Sequence, residues 1–112
     1  MQSAHATPLS AVLERLKECE SAILKRFIDV LRIPSISTSA EHRPDVERAA
    51  HWAADHARAS GLIAEVVTHE HGLPATVVQT PDDRLASPDV PTLLFYGHHD
   101  VQPAAQRDGW VD

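Results

Sequence analysis

A chain of 112 residues with 43 % hydrophobic residues is long enough to bury one modest core, so a single domain is expected. The formal charge is −6 and the ten basic residues form no cluster, which excludes an electrostatic footprint for nucleic acid. No apolar run approaches the length of a membrane span, and a single cysteine, Cys19, excludes an internal disulfide and fits a reducing compartment.

The first residues, Met1 to Pro8, lack a basic segment followed by an apolar one, so no secretory leader is expected and the cytoplasm is the predicted location. Thr7 and Pro8 read as an N-cap followed by proline at the first helical position. From there Leu9, Val12, Leu13, Leu16, Ile23, Leu24, Phe27 and Leu31 recur at helical spacing among charged residues, which predicts a long amphipathic helix ending before Pro34. Its apolar stripe is expected to pack on a sheet. Cys19 on that helix reads as a packing residue. Residues 35 to 41, rich in Ser and Thr, read as a connecting loop, because no Gly-x-Ser-x-Gly turn makes any of the serines a nucleophile.

Pro44 opens a second predicted helix, with Asp45 and Glu47 near its positive end. Val46, Ala49, Ala50, Ala53 and Ala57 give it a small-residue face suited to close packing on a sheet, and Gly61 is placed to end it. His51 and Asp55 lie one turn apart, which permits a surface contact. His51 and His56 are five apart and poorly placed to share a metal, so both read as solvated.

Residues 62 to 68 and 75 to 80 read as strands joined by a turn at Gly72 and Pro74. The His69-x-His71 pair in that turn has zinc-compatible spacing, yet no third ligand lies near it in the sequence. The proline-bracketed loop from Pro81 to Asp89 follows, and its acidic pair, Asp82 and Asp83, reads as solvated.

Leu93-Leu94-Phe95-Tyr96 then has the composition of a strand buried on both faces, and Gly97 marks its end. His98 and Asp100 follow at a spacing of two, which puts them on one side of an extended backbone and His99 on the other. Ligands of open α/β sheets bind beyond the carboxyl ends of strands. Imidazole is a common metal ligand, and a nearby carboxylate fixes its tautomer and orientation. His98 is therefore the candidate metal ligand and Asp100 the candidate orienting catalytic residue. The competing reading is a histidine at a strand end beside a turn aspartate.

Gly97-His98-His99-Asp100-Val101-Gln102-Pro103, followed by Gly109-Trp110, resembles the first metal-site signature of the dinuclear zinc peptidases and amidohydrolases. That family includes carnosinase-like dipeptidases, aminoacylases, acetylornithine deacetylase and succinyl-diaminopimelate desuccinylase. The Gln102-Pro103 and Gly109-Trp110 variants are most similar to the dipeptidase branch, and His99 falls on a variable position. The stretch from Phe27 to Ser37, with its Ile-Pro-Ser, and Ser60-Gly61-Leu62 are also similar to the family.

The resemblance implies two zinc ions, one held by His98 with Asp100 in support, and hydrolysis of a small peptide by metal-activated water. It also implies that residues 1–112 are the amino-terminal part of a catalytic domain. The remaining ligands, the glutamate general base and a smaller domain that commonly supplies homodimer contacts would lie downstream, so this chain alone is expected to be inactive. Arg107 and Asp108 would pass near the cleft.

The expected fold is α/β, two helices packed on a sheet of about three strands. Two alternatives to the dipeptidase reading stay open: an amidohydrolase of the same family acting on N-acyl amino acids, and a non-catalytic module that binds metal or associates through a sheet edge.

Overall fold

The computed structural model describes residues 8–85, 87 and 89–104. Its elements run, in chain order, α1 (Leu9–Leu31), a short 3-10 turn (Ala40–His42), α2 (Arg43–Ala59), β1 (Ile63–Val67), β2 (Ala75–Gln79) and a second 3-10 turn (Asp82–Arg84). This is the expected α/β fold, with two strands among the described residues where about three were expected.

The packed unit is α2 on the hairpin. β1 and β2 pair antiparallel in the register Ile63↔Gln79, Ala64↔Val78, Glu65↔Val77, Val66↔Thr76 and Val67↔Ala75. Because side chains alternate along a strand, Ala64 is buried and Val66 half-buried on the face that meets α2. The helix contributes Val46, Ala49, Ala50, Ala54 and Ala57, all buried. Small side chains let the backbones approach closely enough for the Thr76 hydroxyl to donate to the Ala50 carbonyl at 2.9 Å. Ala54 replaces the expected Ala53 on this face, Ala53 being half-buried.

Gly61 terminates α2 as expected. It has φ +80°, a left-handed conformation in which any Cβ is strained. Gly61 N–H donates to the Arg58 carbonyl at 2.8 Å and Leu62 N–H to the Ala57 carbonyl at 3.1 Å, the paired bonds of a Schellman ending. A Cβ on Gly61 would also meet the Arg84 guanidinium at 2.6 Å.

Further expectations need correction. The first helix forms and ends before Pro34, but its N-cap is Pro8 and its first residue Leu9; Thr7 lies outside the described residues. No residue of α1 is buried, so its stripe does not pack on the sheet. The outer face of the hairpin, with Ile63, Val67 and Val77, is likewise exposed, so two apolar faces stand without covering each other.

Leu93 to Tyr96 form no strand, and Leu94 is 93 % exposed. Apolar composition gives a segment the capacity to be buried between neighbours, whereas strand formation also requires a partner for its backbone N–H and C=O groups. Among the described residues this segment has none. Gly97 meets no packing demand either, since nothing lies within 4 Å of where its Cβ would be. Among the described residues no helix is long and apolar enough to cross a membrane.

Candidate functional site

Although it lacks a strand ladder, the segment carrying His98 is tied to the rest of the molecule. Ile33 is buried where α1 gives way to the 33–39 loop, and that loop turns tightly, Ser35 N–H donating to the Ile33 carbonyl at 2.7 Å. Ser35, only 1 % exposed, then donates its hydroxyl to the His99 carbonyl at 2.9 Å, while its backbone carbonyl accepts the Val101 N–H at 3.0 Å. Ser37 Oγ–H donates to Asp100 Oδ2 at 2.6 Å. On the other side, His99 Nε2–H donates to the Pro74 carbonyl at 3.2 Å, which links the segment to the hairpin turn. The His99 Nδ1 atom is buried without a partner among the described residues.

His98 and Asp100 meet as their spacing predicts. His98 Nδ1 lies 2.8 Å from Asp100 Oδ1 and 3.2 Å from the Asp100 carbonyl. Both neighbours accept, so Nδ1 is the donor and the Nε2 lone pair is left for another partner. The His98 side chain is 76 % exposed, which keeps Nε2 open to an incoming ligand. The Ser37 hydrogen bond, followed by that from His98, holds the Asp100 carboxyl below the usual carboxylate range. It is therefore an ionised acceptor at neutral pH, the state in which a carboxylate strengthens imidazole as a ligand.

Beside the pair lies an open cleft of about 540 Å³. Val46, Leu73 and Val78 line one part, Phe95, Tyr96 and His98 another. Apolar walls with a few polar groups at one end are the usual character of a small-molecule site.

Among the described residues, the histidines outside the 98–99 segment are not gathered with His98. No cluster of three or more His, Cys, Asp or Glu that could hold a metal occurs among the described residues. Asp55 pairs with Arg58 at 2.8 Å, not with His51, and His56 stacks on Trp52 with ring centroids 5.5 Å apart. His42, just before the second helix and read with its histidines as solvated, stands at the N-cap position of α2 without a side-chain capping bond, and its Nδ1 lies 2.7 Å from Asp45 Oδ2. His69 sits in the hairpin turn, where its carbonyl accepts Gly72 N–H at 3.0 Å. Arg107, Asp108, Gly109 and Trp110 lie outside the described residues.

The site residues missed from sequence are Ser35 and Ser37, read only as loop. Their one signal is a spacing of two that mirrors His98 and Asp100, and nothing local pairs residues 63 apart.

Comparison with known proteins bears on the same stretch. The Cys-Gly metallodipeptidase DUG1 of Candida albicans is 30 % identical over an alignment of 112 positions, covering 92 % of this chain and 23 % of that protein. Over this stretch the chain is similar to a metallodipeptidase. The Cys-Gly metallodipeptidase DUG1 of Saccharomyces cerevisiae is 26 % identical over 111 positions, 91 % of this chain and 23 % of that protein. A shorter match of 58 % identity over 26 residues connects the chain to the Beta-Ala-His dipeptidase of Mus musculus, covering 23 % of this chain and 5 % of that one. The chain thus spans about a quarter of the length of its two longer-matching metallodipeptidase relatives, at 23 % of each. No family model matches it, and no solved structure does.

A metal is therefore the group to fit against the geometry. An exposed imidazole whose Nδ1–H is engaged by a carboxylate, with Nε2 open, suits one metal ligand and its orienting partner. The described residues supply this single ligand position and no complete coordination set.

Proposed function

We propose that this chain is part of the catalytic domain of a zinc-dependent metallopeptidase that hydrolyses dipeptides or other short peptides, with His98 as a zinc ligand through Nε2 and Asp100 as its orienting carboxylate. The observation that carries this reading is the 2.8 Å contact between His98 Nδ1 and Asp100 Oδ1 beside an exposed imidazole. The metallodipeptidase relatives support the reaction class.

Bound zinc would polarise the scissile carbonyl and lower the pKa of an attacking water. The chain's own part is narrower. Asp100 keeps the proton on Nδ1 and the ring oriented, and Ser37 and Ser35 keep Asp100 and its flanking backbone in place. The apolar cleft beside His98 offers room for a substrate of small-molecule size. Groups beyond these residues would complete the metal set and move the proton, so the 112 residues alone are expected to be inactive. The lone cysteine and the even spread of charge fit a cytoplasmic enzyme with a peptide substrate and no nucleic-acid partner. A homodimer would form through a domain outside these residues.

Turnover by the intact protein tests the substrate class. A dipeptide is expected to be hydrolysed with a higher kcat/KM than an N-acyl amino acid, and chelation is expected to abolish the activity. Faster turnover of the N-acyl amino acid would replace the peptidase reading with an amidohydrolase. Activity indifferent to chelation would remove the metal from the account.

A further inference from the structure

The loop that leaves α1 carries two serines, and both reach the His98 segment. The bonds of Ser35 fall on either side of residue 100, its hydroxyl donating to the His99 carbonyl at 2.9 Å and its backbone carbonyl accepting the Val101 N–H at 3.0 Å. Between them the Asp100 side chain points back to the same loop. Its Oδ2 accepts from Ser37 Oγ–H at 2.6 Å, and its Oδ1 accepts from His98 Nδ1–H at 2.8 Å.

Each carboxylate oxygen is therefore committed to a different donor. One bond alone would leave the carboxylate free to turn about Cβ–Cγ, a broad torsion, and the imidazole free to follow it. Two bonds from donors 61 residues apart, positions 37 and 98, fix that rotation.

We propose that Ser37 is a positioning residue for His98: it holds Asp100 so that His98 keeps its proton on Nδ1 and presents Nε2 outward, while Ser35 anchors the backbone on both sides of Asp100. The consequence for metal affinity rests on the reading of His98 as a zinc ligand. The consequence for the His98 tautomer does not, and this separates the two.

The test uses the intact protein and two variants, Ser37→Ala and Ser37→Thr, the second of which keeps the hydroxyl. Long-range 1H–15N spectra of the metal-free protein report the His98 tautomer, and titration with zinc reports Kd. Wild type is expected to show the Nδ1–H tautomer. Ser37→Ala is expected to give a mixture and to weaken zinc binding about tenfold, the lower end of the effect of losing an outer hydrogen-bond partner of a metal ligand. Ser37→Thr is expected to restore both, which a merely structural role for a small loop side chain would not require.

An unchanged tautomer and an unchanged Kd in Ser37→Ala would overturn the proposal. So would a wild-type spectrum dominated by the Nε2–H form, a measurement that needs no variant. If Ser37→Ala shifts the tautomer while His98→Ala binds zinc as tightly as wild type, the clamp stands and the ligand reading fails.

Discussion

α2 and α1 are both amphipathic helices with clear apolar spacing, yet one is buried along a face and the other nowhere. α2 presents Val46 and four buried alanines to a hairpin whose inner face carries Ala64 and Val66. α1 presents leucines, Ile23 and Phe27, a larger apolar surface, and buries none of them. Side-chain hydrophobicity sets how much burial is worth, while the presence of an opposing surface decides whether it happens. The 93–96 segment repeats the lesson. It is the most apolar run of the chain and one of the most exposed.

Substitutions in the two regions should therefore differ sharply. The largest effect is expected for Val46→Asp, which puts a carboxylate at a position 1 % exposed on the inner face of α2. With no partner there to offset desolvation, the loss should exceed about 3 kcal/mol. In urea titrations followed by circular dichroism it should abolish the cooperative transition, and a transition like wild type would mean that α2 is not packed on the hairpin as described.

Gly61→Ala comes next. A Cβ at φ +80° is strained and must also displace the Arg84 guanidinium, a flexible group that can move. The expected cost is about 1–2 kcal/mol, read as a lower Tm.

Thr76→Val keeps shape and removes the bond to the Ala50 carbonyl. That should cost about 1 kcal/mol, and a neutral result would assign the strand–helix contact to packing alone.

The smallest effect is expected in the contrasting helix. Leu16→Asp on α1, at a residue half exposed, should change the stability of these 112 residues by no more than about 0.5 kcal/mol. A loss comparable to Val46→Asp would show that α1 is covered.

The same distinction explains what was legible in the sequence. Both helices, both strands, the proline that ends α1 and the glycine that ends α2 are written in local spacing and in residues with one conformational use, and they stand where expected. The His98–Asp100 contact was legible for the same reason, being set by a two-residue spacing. The exposure of α1 and of residues 93–96 was not, because burial depends on surfaces distant in the chain. Nor was Ser37, whose partner lies 63 residues away and whose neighbours mark it only as loop. The small-residue face of α2 was read correctly except at one position, Ala54 for Ala53, where a turn of one residue rotates the side chain by about 100°.

The measurement that bears most directly on the account is zinc binding by the intact protein and its His98→Ala variant, followed by calorimetric titration after chelator treatment. Loss of one zinc equivalent, or a rise in Kd of at least about tenfold, is predicted for the variant. Equal stoichiometry and equal affinity in the two proteins would contradict the assignment of His98 as a metal ligand and leave the contact with Asp100 a structural one.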